Sequence, residues 1–158
     1  MWLQRLENLL LTLWVGAHWS VGYLVAPVLF KTLDDRQMAG MLAGKMFAIT
    51  AWVGLVVCGI LLLSLLIREK MDMLRAWRFW VLNLALILVL VGMFVIQPQM
   101  AALKAQGIMP ATDVAAEFGK LHGISSVMYL LTSLCGLALV WLGVRGGTVR
   151  PRSALGSL

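Results

Sequence analysis

Hydrophobic residues dominate four long stretches of the chain, and polar residues gather between them. The stretches cover about residues 9–30, 46–67, 79–96 and 123–144, and none contains Asp, Glu, Lys or Arg. An α-helix rises 1.5 Å per residue, so roughly 20 apolar residues cross the roughly 30 Å of hydrocarbon in a bilayer. The pattern predicts an all-α integral membrane bundle of four transmembrane helices within residues 1–146, followed by a flexible tail at 147–158.

The two connections on the outer side carry signals of further helical structure. Residues 34–45 predict a short amphipathic helix, and residues 99–106 extend the third helix beyond Pro98. Gly107 and Pro110 then predict a turn. Thr112 or Asp113 is placed to cap the fourth helix.

Composition excludes a soluble protein. Apolar residues make up 61% of the chain and charged residues 13%, whereas a soluble domain has about 25% charged residues. The formal net charge of +6 does not indicate nucleic acid as a partner, because the basic residues flank the apolar stretches. The expected surroundings of the chain are a lipid bilayer. Assembly into a homo-oligomer and binding to a membrane-protein partner are both compatible with this expectation.

The distribution of basic residues predicts the orientation of the helices. The side with both termini carries eight Lys or Arg and the other side five, which favours cytoplasmic termini in a bacterial-type inner membrane. The eight are Arg5, Arg68, Lys70, Arg75, Arg78, Arg145, Arg150 and Arg152. Four tryptophans form a predicted aromatic belt on that same side: Trp2, Trp77, Trp80 and Trp141.

The fourth helix carries one polar stripe at helical spacing, formed by His122, Ser125, Ser126, Tyr129, Thr132 and Ser133. Lipid cannot satisfy these groups, so the stripe is expected to face other helices or a wet cavity. Hydrogen bonding between helices is the simpler interpretation, and a ligand site on the outer half is the functional one. The candidate ligand-binding residues are His122, Ser125, Ser126, Tyr129, Gln97 and Lys45.

His18 lies near the middle of the first helix, where an ionisable residue is a functional candidate. It can equally form a hydrogen bond to Asn83 or to a serine of another helix. Axial histidines of one haem lie about 4 Å apart, and the predicted depths of His18 and His122 differ by much more. This pair is therefore not expected to hold a haem together, although one histidine with another ligand stays open.

Metal and redox alternatives rest on few residues. His122 and Met100 suit Cu(I), although the ten methionines also serve as packing residues. No nucleotide-binding loop or catalytic motif is present, so no catalytic residue is assigned and a non-enzymatic binding protein is favoured. A haem- or quinone-linked redox protein and a copper-handling protein are the alternatives, and no cofactor is required. Cys58 and Cys135 are interpreted as buried free thiols, with a disulfide as the alternative.

Two segments resemble a known family. One runs from Gly16 to Phe47 and includes Leu29, Phe30 and Lys45, and the other is the 118–126 segment with His122-Gly-Ile-Ser-Ser126. Together with Gln97-Pro98, they resemble the transmembrane-protein-205-like family of four-helix membrane proteins, a family of unknown function. The resemblance implies an integral membrane protein and brings no settled activity. It includes His122, Ser125 and Ser126 but not His18, which favours His122 as the more important histidine.

Overall fold

Four long helices account for nearly all of the described structure. The computed structural model describes residues 2–107 and 112–142. The helices are α1 (Trp2–Thr32), α2 (Arg36–Glu69), α3 (Trp77–Ala105) and α4 (Asp113–Trp141). A short 3₁₀ helix, Lys70–Arg75, continues α2 into the connection to α3. Within the described ranges there is no β-strand.

All four helices are long and apolar enough to cross a membrane. The first three predicted stretches lie inside α1, α2 and α3, and the fourth begins within α4 and passes its last residue, Trp141. Residues 143 and 144 of that stretch, and the predicted tail at 147–158, lie outside the described residues. Large apolar side chains such as Leu13, Ile49 and Ile87 are exposed around the helices. A surface of this kind is suited to lipid contact.

α1 and α3 each contain a single π-helical turn before a proline. Val21–Val25 precedes Pro27, and Gly92–Ile96 precedes Pro98. A proline ring collides with the carbonyl four residues earlier in a regular α-helix. In the π turns the following backbone N–H bonds to the carbonyl five residues back, from Ala26 to Val21 and from Gln97 to Gly92. The wider turn lets both helices continue through their prolines.

The connection between α1 and α2 is shorter than the sequence predicted. The expected separate helix over 34–45 is wrong, because α2 begins at Arg36 and continues without a break to Glu69. The Asp35 carboxylate caps this start by accepting hydrogen bonds from the backbone N–H groups of Gln37 and Met38 at 2.8 and 3.1 Å. No helix breaker follows, so the amphipathic segment merges with the apolar one. The Thr112 hydroxyl caps α4, as predicted.

The third helix extends past Pro98 to Ala105, also as predicted, and Gly107 has a φ of +83° that suits a glycine. The predicted turn residue Pro110 lies outside the described residues.

The helices pack in a ring, each against its neighbours in the chain and α4 back against α1. The central apolar cluster draws on all four helices and includes Leu11, Trp14, Val57, Ala85 and Leu139. Glycines on three helices, Gly22, Gly54 and Gly136, allow close packing. An alanine Cβ at Gly136 of α4 would lie 2.8 Å from Val15 Cγ2, which is closer than real atoms approach.

Candidate functional site

One face of α1 carries the buried residues of the candidate site. Glu7, Leu11, Trp14, His18 and Val21 follow one another at steps of three or four residues, and all are buried. This spacing keeps them on a single face of the helix. The face turns inward between α2 and α4, so it places one tryptophan and one histidine at the middle of the molecule.

His18 and Tyr129 form the centre of the site. Their rings stack with centroids 3.9 Å apart and an interplanar angle of 17°. The Tyr129 hydroxyl donates a hydrogen bond to the backbone carbonyl of His18. Phe47 of α2 meets the Tyr129 ring edge-on at 5.0 Å, so three helices contribute to this cluster.

Ser133 connects the cluster to Trp19 and Tyr23 of α1. Its hydroxyl donates to the carbonyl of Tyr129 at 2.8 Å and accepts from the Tyr23 hydroxyl at 3.1 Å. Its carbonyl accepts the indole N–H of Trp19 at 3.3 Å. These bonds give the polar atoms of two partly exposed aromatic side chains a partner within the protein, as hydrocarbon requires.

Two glycines make room for the aromatic rings. An alanine Cβ at Gly22 would collide with the Tyr129 ring, and its distance to both Cζ and Oη would be 2.9 Å. A Cβ at Gly54 of α2 would collide with the indole of Trp14. The rings of Trp14 and Tyr129 therefore fill the notches that these two glycines leave in the neighbouring helices.

Two buried nitrogen atoms in this cluster lack a hydrogen-bond partner. They are Nε1 of Trp14 and Nε2 of His18, in side chains that are 2% and 6% exposed. The two rings are neighbours, with centroids 5.9 Å apart. An unpaired polar atom in a protein interior costs about 1–3 kcal/mol, so each of these nitrogens requires an explanation. The first π-helical turn begins at Val21, three residues after His18, and such turns occur often at functional sites.

The polar stripe predicted on α4 divides into two parts. Thr132 and Ser133 are buried and Tyr129 is half-buried, and Tyr129 and Ser133 contact α1. His122 and Ser126 are exposed, and the Ser126 hydroxyl bonds to the carbonyl of His122 in its own helix at 2.8 Å. Tyr129 and Ser133 therefore face another helix, as expected, whereas Ser126 lies on the surface of the protein.

The described contacts of the His122 ring do not include the other candidate ligand residues. Its ring stacks on Phe118 with centroids 6.1 Å apart, and the Lys104 ammonium lies 5.6 Å from the centroid of the same Phe118 ring. Ser125 is partly buried, Gln97 and Lys45 are exposed, and Met100 is buried.

Asn83 does not pair with His18, which was one alternative from the sequence. Its amide donates to the carbonyl of Phe79 in its own helix at 2.8 Å. The Nε2 atom of His18 is left without a partner, so the alternative of a histidine satisfied by another helix does not hold for that atom.

The helix register keeps the two histidines apart. Val15 lies against Gly136 and Trp19 bonds to Ser133, so His18 lies close to the depth of Ser133. Ser133 is 11 residues from His122, which is roughly 16 Å along the helix. A haem held by both imidazoles needs about 4 Å between them. The register agrees with the sequence-based expectation that this pair does not ligate one haem.

Haem on His18 alone also fails on packing. On either side of it along α1, Val15 and Gly22 pack closely against Gly136 and Tyr129 of α4. A macrocycle at Nε2 would have to separate these helices. Across residues 2–107 and 112–142, no three His, Cys, Asp or Glu side chains are grouped so that they could hold a metal ion. Cys58 and Cys135 are free thiols, with Cys58 in the central apolar cluster and Cys135 packed against it.

An ion pair between a buried carboxylate and an exposed guanidinium joins α1 to α2, nearer the N-terminus of α1 than the site. The Glu7 carboxylate, in a residue only 3% exposed, binds Arg68 at 3.0 Å and accepts a hydrogen bond from the Ser64 hydroxyl. The sequence interpretation missed this pair because Glu7 precedes the predicted span. It also missed Trp14, although the regular spacing of Glu7, Leu11, Trp14 and His18 was readable as one buried face.

Comparison with known proteins gives one family and no characterised relative. Residues 9–108 match the model of a family described as a domain of unknown function, DUF4149. The matched range includes Trp14, His18, Phe47 and Gly54, and it ends before α4 begins. The 118–126 segment therefore lies outside it. No curated protein and no solved structure matches the chain.

Proposed function

We propose that this chain, which belongs to the DUF4149 family of domains of unknown function, is a multi-pass membrane protein that binds a small uncharged ligand beside His18. The observation that carries the proposal is that two neighbouring buried rings each have a nitrogen without a partner, Trp14 Nε1 and His18 Nε2. A ligand with hydrogen-bonding oxygens would supply the partners that these nitrogens lack. This is a binding role, and no catalytic residue is assigned.

Helix packing alone explains the cluster less well. If the face of α1 served only to pack, a phenylalanine at position 18 would keep the stack on Tyr129 and leave no unpaired nitrogen. A histidine and a tryptophan with unpaired nitrogens cost stability that packing does not require. Unpaired polar groups in a native core are typical of binding sites, and a buried water is the competing occupant.

The ligand reaches the site from the bilayer. Trp19 and Tyr23 belong to the same cluster and are 37% and 45% exposed on the outer face of α1. They form the border between His18 and the surrounding lipid. A molecule dissolved in the membrane therefore needs to pass only this border and not a charged outer surface.

Several finer predictions from the sequence stay part of this proposal. They are the four-helix bundle, the transmembrane-protein-205-like assignment and an outer ligand site at His122, Ser125, Ser126, Tyr129, Gln97 and Lys45. Tyr129 is the member of that set that contacts the buried cluster, and the unpaired nitrogens move the emphasis from His122 to His18.

Both termini are proposed to face the cytoplasm of a bacterial-type inner membrane. The basic residues support this orientation, because four of the eight on that side lie in α1, in α2 or in the connection into α3, and a fifth, Arg78, lies in the first turn of α3. A phosphatase fused after Trp141 is expected to be inactive, and one fused after Gly107 is expected to be active, because the enzyme folds only outside the cytoplasm. Phosphatase activity on intact cells measures both. The opposite pattern would reverse the orientation.

The ligand proposal is tested by what the purified protein retains. We expect an organic extract of the wild-type protein to contain one small molecule in near-stoichiometric amount. His18→Phe should retain about tenfold less, which corresponds to about 1.4 kcal/mol of binding free energy. Mass spectrometry of the extracts measures the retained amount. The variant is expected to fold, because it keeps the ring stack on Tyr129 and removes an unpaired nitrogen.

Thr12→Ala is the matched control, because Thr12 is exposed on α1 and its hydroxyl donates to the carbonyl of Asn8 in the same helix. It should retain the molecule as the wild type does. Equal retention by a folded His18→Phe variant would contradict the proposal. So would a wild-type extract without a bound molecule, which would leave water as the occupant.

A further inference from the structure

We propose that the start of α3 binds the head group of an anionic phospholipid. The binding surface is the 74–80 segment, which leads from the short 3₁₀ helix into the first turn of α3. Its binding residues are Arg75 and Arg78. This surface is separate from the ligand site beside His18, and the proposal does not depend on that site.

The 74–80 segment is basic and contains no acidic residue. The acidic residues of the connection precede it, and none occurs between Asp72 and Asp113. α3 begins at Trp77 with no acidic residue in its first turn, so the positive end of the helix dipole adds to the charge of the two arginines. The electrostatic potential of this surface therefore favours an anion.

Both arginines keep their hydrogen-bond donors for a group outside the protein. Neither Arg75 nor Arg78 has an ion-pair or hydrogen-bond partner among residues 2–107 and 112–142, whereas Arg68 of the same connection binds Glu7. A guanidinium carries five N–H donors in a fixed plane and binds a phosphate through two parallel hydrogen bonds. A phosphate group therefore fits the chemistry of this surface.

The backbone holds the two arginines beside each other. The indole N–H of Trp80 donates to the carbonyl of Leu74 at 3.0 Å, which ties the end of the 3₁₀ helix to the first turns of α3. Arg75 and Arg78 are three residues apart, so their Cα atoms are at most about 11 Å from each other. Two long side chains at this separation can reach one head group.

The apolar residues of the segment indicate a lipid and not a water-soluble phosphate compound. Leu74, Trp77 and Trp80 are 42%, 41% and 61% exposed, and the apolar stretch of α3 begins at residue 79. Exposed indoles beside such a stretch are typical of the membrane interface, where the lipid phosphates lie. Acyl chains can cover these side chains, and a soluble phosphate compound cannot.

Lipid binding to the purified full-length protein tests the proposal. The protein is delipidated in dodecyl maltoside and titrated with dioleoylphosphatidylglycerol or dioleoylphosphatidylcholine, and native mass spectrometry counts the bound lipid. The choline head group carries its own cation, which the arginines repel. A basic residue near an anionic membrane surface contributes about fivefold in affinity. We expect phosphatidylglycerol to bind at least about tenfold more tightly than phosphatidylcholine, and Arg75→Gln/Arg78→Gln to lose at least about tenfold of that affinity.

The matched control is Lys31→Gln/Arg36→Gln, which also removes two exposed cations but at the opposite end of the helices. These two residues flank Asp34 and Asp35, so their connection has no net charge, and the variant should bind both lipids as the wild type does.

Two further variants separate charge from folding. Arg75→Lys/Arg78→Lys keeps both charges and should keep most of the preference for phosphatidylglycerol. Arg75→Gln alone changes an exposed residue and should lose about fivefold, which provides a test even if the double variant does not fold. Circular dichroism and a melting curve establish that each variant is folded.

Salt provides a readout that a purely structural role would not move. An increase in ammonium acetate from about 0.1 M to about 1 M shortens the Debye length from about 10 Å to about 3 Å. Binding of phosphatidylglycerol should weaken over this range, and binding of phosphatidylcholine should not. A large excess of glycerol 3-phosphate should not displace the bound lipid, because it has no acyl chains.

Four results would each overturn the proposal. They are equal affinity of the wild-type protein for the two lipids, full phosphatidylglycerol affinity in the folded Arg75→Gln variant, an equal loss in the Lys31→Gln/Arg36→Gln control, and displacement of the lipid by glycerol 3-phosphate. The last result would assign the surface to a soluble phosphate compound.

Discussion

Replacement of Arg68 by leucine is expected to lower the free energy of unfolding by about 3 kcal/mol. Glu7 is almost completely buried, and Arg68 is its only charged partner in the described structure. Without the guanidinium, the Glu7 carboxylate stays in a low-dielectric environment with only the Ser64 hydroxyl as a donor. Thermal unfolding in detergent, followed by circular dichroism, measures the loss.

The matched control is the double variant Glu7→Leu/Arg68→Leu. Removal of both charges leaves no buried unpaired ion, so this variant should be more stable than Arg68→Leu alone. The reciprocal Glu7→Leu variant should lose less than Arg68→Leu, because the Arg68 side chain is 37% exposed and can be solvated. If the single Arg68 variant matched the wild type, the pair would not hold α1 to α2.

The second large effect is expected for Gly22→Ala. The added methyl group would occupy the space of the Tyr129 ring, and that ring is fixed by its stack on His18, its bond to the His18 carbonyl and its edge contact with Phe47. Overpacking of this kind costs about 1–3 kcal/mol, and we expect about 2 kcal/mol here. The same variant should retain less ligand, because its methyl group displaces a ring of the site. Melting curves and extract analysis measure the two effects.

Gly16→Ala, in the same helix, is the comparison that isolates packing from helix propensity. Gly16 is exposed, and nothing lies within 4 Å of a Cβ placed there. Alanine favours a helix over glycine by up to about 1 kcal/mol, so this variant should be neutral or slightly more stable. Equal stability of the Gly16 and Gly22 variants would mean that Tyr129 does not occupy the notch at Gly22.

The four helices were predictable because each depends on a local property of the chain. A run of about 20 apolar residues without a charge has few alternatives to a membrane helix. The cap at Thr112 and the turn residue Gly107 are likewise local. The separate helix predicted over 34–45 was wrong because a change from amphipathic to apolar character was taken as a boundary. A helix ends where its backbone hydrogen bonds end, and in α2 these bonds continue from Arg36 to Glu69.

The candidate site was only partly predictable because it depends on contacts between helices. The spacing on α4 correctly grouped Tyr129 with Ser133, but no property of one helix shows that Tyr129 stacks on His18, 111 residues earlier. The partners of Glu7 lie 57 and 61 residues away, on α2. The register between helices is set by glycine contacts such as Gly136 with Val15, which the sequence does not pair.

The π-helical turn at Val21–Val25 also changes how the sequence of this family is to be aligned. Such a turn holds one residue more than a regular turn, and one residue corresponds to about 100° of rotation around an α-helix. The extra residue is visible in the spacing of the buried residues on this face of α1. From Glu7 to Val21 they are three or four positions apart, whereas Val21 and Ala26 are five positions apart. A homologue with a regular helix would therefore be one residue shorter between His18 and Pro27. An alignment that forbids a gap there would compare residues on different faces of the helix.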